Sequence, residues 1–552
     1  MAMTITIETI EAAEKLLGVA FTEAERALML DNLSPQIEMA VRRRAFALPP
    51  DTAPASRFDP RLPGFVMPSA AASMPAPAPF VLPPREEDIA FAPVTALAGW
   101  ISTRQLTSER LTRIYLDRIE RLNPKLFCFA TVTSEAALTR AAELDAMTAR
   151  GINLGPLHGI PYGMKDIIDT ARVETAWGAE PYQGRVPAQD AHIATALHEA
   201  GAVLLGKTTV GALAYGDLWY GGRTRNPWNL NEGSSGSSAG SAAATAAGLV
   251  GFAIGTETLG SIVSPSTRCG TVGLRPTFGR VSRRGAMALC WSLDKIGPIC
   301  RAVEDTALVL GVINAPDGQD EWQIPAPFGG VAESFAGLRL GYYPADFEDA
   351  EANDLDRAAL EVACGLRLEM VELTRPQRPY DSLMAILYAE AAAAFETLTL
   401  SGDDDKLTWQ DADAWPNSFR KARFLSAVDH VQAERLRRVV MQDMDAAFQA
   451  ADVIIGPSLA GPMLLITNYM GQPCLCLPSG HRLTATRDPI SLSRNSLEPG
   501  EAIGPLYEIP HSISLWGGLF DEARLLAVGR ALEALLGVSG RRPDMSDGRA
   551  GR

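Results

Sequence analysis

The sequence predicts an α/β protein with a sheet covered by helices on both faces, and three observations carry that reading. Short apolar runs of strand length recur along the chain, among them Ala202-Val-Leu-Leu-Gly206, Asp452-Val-Ile-Ile-Gly-Pro-Ser458 and Cys474-Leu-Cys-Leu-Pro478. Longer stretches with apolar residues at helical spacing separate them. Between Glu232 and Arg275 a tract rich in Ser, Gly and Ala alternates a serine loop, an Ala-rich helix, an apolar strand and a small-residue turn. Flexible linkers do not alternate in this way, whereas packed α/β layers do.

Composition narrows the class. Hydrophobic residues fill 47% of the 552 positions and charged residues 21%, as in ordinary globular proteins. A net charge of −15 argues against a nucleic-acid surface, and Arg42-Arg-Arg44 is too short to reverse it. Seven cysteines do not make a disulfide framework, and Cys474 and Cys476 alternate as one face of a strand. The six histidines show no metal-ligand spacing. No signal-peptide pattern opens the chain and no apolar run reaches membrane-span length, so a cytoplasmic protein is expected.

Taken in order, residues 1 to about 45 read as two or three helices, with Thr22 and Glu25 spaced as a capping box. Residues 46–86 are rich in Pro and Ala and read as a linker or surface strap, so 1–86 forms an N-terminal helical extension. The main domain is expected over 87–540. Helical spacing runs from Ile89 to Leu122, with Thr107 and Ser108 as N-cap candidates. Phe127–Val132 reads as a strand, Glu135–Arg150 as a helix and Asp190–Ala202 as another. Residues 303–316 read as a helix and 338–343 as a strand. A helical insertion is expected over about 351–450. Asp521–Leu536 is the last amphipathic helix, and 541–552 reads as a disordered tail.

Two motifs tempt. Gly201–Thr208 fits the P-loop pattern G-x-x-x-x-G-K-[ST], but its middle is an apolar β-favouring run where phosphate binding needs a glycine-rich turn opening a helix. A strand is expected there. Gly236-Ser-Ser-Ala-Gly240 fits the nucleophile elbow of an α/β-hydrolase, which would make Ser238 the nucleophile, with His430, His481 or His511 as base. That elbow must follow a buried strand, and loop-forming residues precede it here.

A serine hydroxyl needs a base, and with histidine scarce nearby a lysine is the natural one. It serves only when neutral, hence desolvated. Lys165 follows Gly159-Ile-Pro-Tyr-Gly-Met164, which contains no charge. A structural ion pair with Asp166 is the competing role.

Gly159–Asp166, Thr224-Arg-Asn-Pro-Trp228, Gly236–Ala244 and Gly255-Thr-Glu-Thr-Leu-Gly-Ser-Ile262, with Ser237 and Ser261 24 positions apart, together resemble the amidase signature family. Leu274–Ser282, Ser292-Leu-Asp-Lys-Ile-Gly-Pro298 and Asn468-Tyr-Met-Gly-Gln-Pro473 extend the likeness over about residues 88–540. The resemblance implies a large mixed β-sheet and a hydrolase for amides, with esters or carbamates also open to it. Lys165, Ser237 and Ser261 would then be the catalytic triad, with Ser261 as nucleophile, Ser237 bridging after a cis peptide and Lys165 as base. Backbone N–H groups of Thr258, Leu259, Gly260 and Ser261 would form the oxyanion hole. No metal or cofactor is implied. The expected partner is a small-molecule amide, with a homodimer as a candidate assembly and neither nucleic acid nor membrane. Ala214, Tyr215 and Trp219 are candidate substrate contacts. The alternatives are the elbow esterase on Ser238 and a binding protein that keeps the fold without catalysis.

The family's Asp-x-Gly-Gly-Ser-Ile-Arg reads Glu257-Thr-Leu-Gly-Ser-Ile-Val263 here. Val263 cannot pair with Glu257, so the brace under the nucleophile loop is expected to change. Leu259 puts a side chain where the family has glycine.

Overall fold

The computed structural model describes residues 5–46, 48–49, 52–77, 80–487 and 505–545, and one mixed sheet of 11 strands runs through it. In chain order its strands are β1 (Phe129–Val132), β2 (Pro161–Lys165), β3 (Val203–Thr208), β4 (Phe252–Glu257), β5 (Val272–Arg275) and β6 (Lys295–Cys300). β7 (Arg339–Tyr342), β8 (Glu369–Glu372), β9 (Val453–Pro457), β10 (Cys474–Thr484) and β11 (Tyr507–Gly517) complete it. Across the sheet they lie in the order β8, β7, β9, β11, β10, β5, β6, β4, β2, β3, β1. β2 is parallel to both β3 and β4, and β7 to both β8 and β9. β4–β6, β5–β6, β5–β10 and β10–β11 are antiparallel.

The central strands β2, β4, β5, β6 and β9 are buried at every position, which requires cover on both faces. Their sequences accordingly run apolar without alternation. Helices Ser108–Leu126, Ala239–Ala246, Val303–Ile313 and Glu522–Leu536 supply part of that cover. The P-loop match is β3, a buried strand, as its apolar middle dictates. Cys474 and Cys476 are buried free thiols on β10.

The N-terminal extension holds two helices, Ile7–Leu17 and Glu23–Ala45. Thr22 and Glu25 do form the capping box, with Thr22 N–H donating to Glu25 Oε2 at 2.6 Å. Downstream, Thr107 caps helix Ser108–Leu126 by accepting from Arg110 N–H at 3.1 Å. The Pro/Ala-rich stretch crosses the rest of the chain as an extended strap, and Ala72–Ser73 pairs with Val331–Ala332. The insertion is helical over most of 354–450 but contributes the edge strand β8, whose four residues are too few and too polar to stand out in the sequence. At the C-terminus Arg541 bonds to Glu508 and Arg542 to Asp88, so the expected tail begins with anchored residues. Residues 546–552 lie outside those described.

Candidate active site

Lys165 ends β2 and is fully buried in the sheet interior. Its Nζ lies 2.8 Å from Ser237 Oγ, 3.0 Å from Ser238 Oγ, 2.7 Å from Thr256 Oγ1 and 3.3 Å from Thr256 O. Burial pushes its pKa well below the usual lysine range, and the charges of Asp294 and Glu257 oppose this only in part. No carboxylate pairs with Nζ among the described residues, so the structural ion pair with Asp166 does not form. Asp166 turns its carboxylate to the N–H of Ala176.

Ser237 follows a cis peptide bond from Gly236, at the mouth of helix Ala239–Ala246. The loop 211–217 explains the glycine: a Cβ on Gly236 would collide with the carbonyl of Gly216. Asp217 on the same loop accepts from Ser235 N–H at 3.0 Å and fixes the approach.

Ser238 is locked in place. Its hydroxyl donates to Thr256 O at 3.1 Å and accepts from Thr256 N–H at 3.1 Å, besides its contact with Lys165. It is fully buried and no strand runs directly into it. Of the histidines offered for an elbow, His511 bonds to Asp356 at 2.7 Å, His481 packs against the Trp228 ring, and His430 lies in the first turn of helix Ala427–Ala450.

Ser261 stands in the turn between β4 and helix Val263–Cys269 and keeps slight exposure, 8%. Its carbonyl accepts from Ser238 N–H at 3.1 Å, which ties this turn to the Ser237 turn. Gly260 has φ +86°, a left-handed conformation that suits glycine and turns the chain back on itself. Among the described residues nothing accepts a hydrogen bond from the N–H groups of Thr258, Leu259, Gly260 or Ser261. The next two N–H groups are occupied: Glu257 Oε2 accepts from Ile262 N–H at 2.8 Å and from Val263 N–H at 2.9 Å. The free donors therefore form one short cluster beside Ser261.

The altered brace is rebuilt. Glu257 Oε1 takes Arg275 Nη1 at 2.7 Å and Asn468 Nδ2 at 2.8 Å. Arg275 reaches on to Thr467 Oγ1 and Gln472 O. Burial pushes the Glu257 carboxyl up, but Arg275 and the Val263 N–H more than reverse it and hold it below the usual range. Leu259 packs half-buried on the apolar cluster that includes Val263, Leu293 and Met463. Thr256, Arg275, Asn468 and Asp294 were not singled out from the sequence. They lie in or beside motifs that were, but nothing in one chain shows that residues 200 apart share a carboxylate.

Of the substrate candidates, Ala214 and Tyr215 sit in loop 211–217 beside the Ser237 turn, and Leu213 and Ala214 both take positive φ. Tyr215 is half-buried with its ring 5.0 Å from Trp409 and 5.1 Å from Trp415. Trp219 packs on its own hairpin, against Tyr220 and over Gly221.

A desolvated lysine joined to serines, next to a turn whose N–H groups are unpaired among the described residues, is a set of groups that suits a hydrolase built on a mixed α/β sheet. Residues 110–477 match the family model described as Amidase, and the chain belongs to that amidase family of enzymes that cleave C–N bonds. It is 31% identical over 473 residues to a subunit of the glutamyl-tRNA(Gln) amidotransferase of Heliobacterium modesticaldum, covering 80% of this chain and 96% of that one. The corresponding amidotransferase subunit from Synechococcus sp. (strain CC9902) is 33% identical over 479 residues, covering 81% and 95%. Among solved structures, the native peptide amidase from Stenotrophomonas maltophilia superposes with a TM-score of 0.68 at 28% identity, over 83% of this chain and 99% of that one. A protein from a vestigial complex tied to the origins of an s-triazine catabolic enzyme gives 0.71 at 26% identity, over 82% and 100%.

Proposed function

We propose that this chain hydrolyses the C–N bond of a small-molecule amide through an acyl-enzyme on Ser261, releasing an amine or ammonia. The observation that carries the reading is the carboxylate-free burial of Lys165 with its Nζ 2.8 Å from Ser237 Oγ. A neutral amine there offers its lone pair to the Ser237 proton while its N–H groups stay on Thr256 and Ser238. Ser237 in turn takes the proton of Ser261, whose oxygen attacks the carbonyl carbon. The carbonyl oxygen gains negative charge and meets the free N–H groups of 258–261. As the C–N bond breaks, the relay returns the proton to the leaving nitrogen. Water then cleaves the acyl ester on Ser261 by the same route. Esters and carbamates fit the same acyl chemistry.

The experiment is labelling with a fluorophosphonate, followed by mapping of the adduct by mass spectrometry. The expected adduct is on Ser261, and Ser261→Ala abolishes both label and hydrolysis of an aryl amide. An adduct on Ser238 would instead favour the elbow reading.

A second reading rests on the curated relatives, both amidotransferase subunits that this chain spans almost completely. In it the amide is glutamine, and the ammonia passes to a partner enzyme. The charge of −15 offers no basic face for tRNA. Turnover of aryl amides by the isolated chain, without glutamine hydrolysis, separates the two.

A further inference from the structure

The strap that follows the N-terminal helices lies outside the matched family region, which begins at residue 110. It nonetheless packs on the apolar cluster that the Ser261 turn also uses. Phe58 lays its ring over the guanidinium of Arg437, 3.3 Å from centroid to Cζ, and tilts against Phe278 at 5.2 Å. Next to it Pro60 is buried and covers Gly471, where a Cβ would stand 2.9 Å from the proline. Phe58 and Leu62 pack on the same apolar cluster as Leu259 of the nucleophile turn.

Arg437 is fully buried at the middle of helix Ala427–Ala450, and among the described residues its one carboxylate contact is the half-buried Glu434 at 3.4 Å. Its other polar contacts are main chain and hydroxyl: Nε donates to Tyr469 O at 2.7 Å, Nη2 to Ser292 O at 2.8 Å and Nη1 to Ser292 Oγ at 3.1 Å. A desolvated guanidinium gains most from an aromatic face. Uncovered, it would draw in water and exchange its hold on Ser292 for hydration.

Ser292 belongs to a tight turn closed by Asp294. The carboxylate of Asp294 accepts from Leu289 N–H at 2.8 Å and Cys290 N–H at 3.0 Å through one oxygen. Its other oxygen accepts from Thr258 Oγ1 at 2.6 Å. Thr258 is the first residue of the turn whose N–H groups have no internal partner.

We propose that Phe58 is a positioning residue for the nucleophile turn, acting through Arg437, Ser292, Asp294 and Thr258. The N-terminal strap is then a working part of the site supplied in cis. The inference rests on the proposed function, because it concerns donors assigned there to the developing oxyanion. A misplacement of such donors lowers the rate of acyl transfer and leaves substrate affinity alone.

The test uses the full chain with Phe58→Ala, Phe58→Trp and, as a control on the same strap, Phe65→Ala, whose ring meets Phe520 instead. In Phe58→Ala, kcat for an aryl amide and the rate of fluorophosphonate labelling, both read far below the lowered melting temperature, are expected to fall roughly tenfold, with KM within about twofold. Phe58→Trp should restore most of the rate, and Phe65→Ala should keep it. Combining Phe58→Ala with Asp294→Asn should cost less than the product of the two single losses, since both cut one chain of contacts. Wild-type kcat in Phe58→Ala overturns the proposal. So does a loss that vanishes when the assay is run far below the melting temperature, or an equal loss in Phe65→Ala. An adduct found away from Ser261 in the wild-type protein defeats the proposed function itself, which distinguishes that failure from this one.

Discussion

Glu257 and Arg275 form a fully buried ion pair at 2.7 Å, and the second oxygen of the same carboxylate holds the N–H groups of Ile262 and Val263. One side chain thus joins β5 to the helix Val263–Cys269 that follows the Ser261 turn. It also removes two donors from the cluster beside Ser261, which confines the unpaired ones to residues 258–261. Glu257→Ala leaves a buried guanidinium without its counter-charge, so a loss of about 3–5 kcal/mol is expected in urea unfolding. Glu257→Gln keeps an acceptor oxygen and should lose less stability, while still slowing the labelling of Ser261. Equal stability of Glu257→Ala and wild type would show that the pair does not brace the turn.

The depressed pKa of Lys165 has a direct thermodynamic sign. Between that lowered value and the ordinary 10.5 of an unfolded lysine, the unfolded chain binds the proton that the folded chain rejects. Stability contributed at this position therefore rises with pH across the window. Lys165→Met lacks the group and lacks the effect. The difference in unfolding free energy, wild type minus Lys165→Met, is expected to climb toward about 1.4 kcal/mol per pH unit within the window. Hydrolysis should rise over the same approach, as the neutral amine becomes populated. A flat difference curve would mean that Lys165 is protonated in the folded protein.

Much of this was legible from the chain because local chemistry set it. The strand β3 was readable behind its P-loop spelling, since Val203-Leu-Leu can neither wrap phosphate nor face water. Lys165, Ser237 and Ser261 were reachable through linked motifs, and the structure brings Lys165 to Ser237 across 72 positions. The cis bond before Ser237 was also expected. What stayed hidden is long-range. The pairing of Glu257 with Arg275 depends on the antiparallel neighbours β4, β6 and β5, and a one-dimensional reading sees only that Val263 cannot pair. The stretch 46–86 read as a linker or a surface strap because Pro and Ala dominate it, and Phe58, whose ring covers Arg437, is one apolar residue among prolines.

Ser238 is expected to be structural although it fits the elbow pattern. Its single proton goes to Thr256 O, and its lone pairs are taken by Thr256 N–H and Lys165. An oxygen so occupied and fully buried has no free approach to a carbonyl carbon. In Ser238→Ala the fluorophosphonate adduct should remain on Ser261. Turnover should fall by about tenfold, because Lys165 loses one of the groups that orient it. Ser261→Ala, by contrast, should leave no adduct. Loss of the label in Ser238→Ala, with an intact fold by circular dichroism, would transfer the nucleophile to Ser238.

Tyr215 is proposed as a contact for the side group of the substrate amide. Gly236 accepts the backbone of loop 211–217 so closely that no Cβ fits, which puts Tyr215 one residue from the contact beneath the Ser237 turn. The insertion then supplies the facing rings. Trp415 is anchored by its Nε1 donating to Leu213 O at 3.0 Å, and Trp409 stands half-buried 5.0 Å from Tyr215. Burial pushes the Tyr215 hydroxyl up to about 12, so it stays neutral over the working pH range. An uncharged, half-open aromatic wall favours an aryl or other apolar group on the amide over a charged one. Trp409 is the member to test, because Trp415 also carries the hydrogen bond that shapes the loop. Trp409→Ala is expected to raise KM for an aryl amide by roughly fivefold, the worth of about one aromatic contact, with kcat little changed. KM for a short aliphatic amide should stay the same, since such a substrate does not reach the wall. A parallel rise for both amides would mean that Trp409 shapes the whole loop and makes no contact of its own with the aryl group.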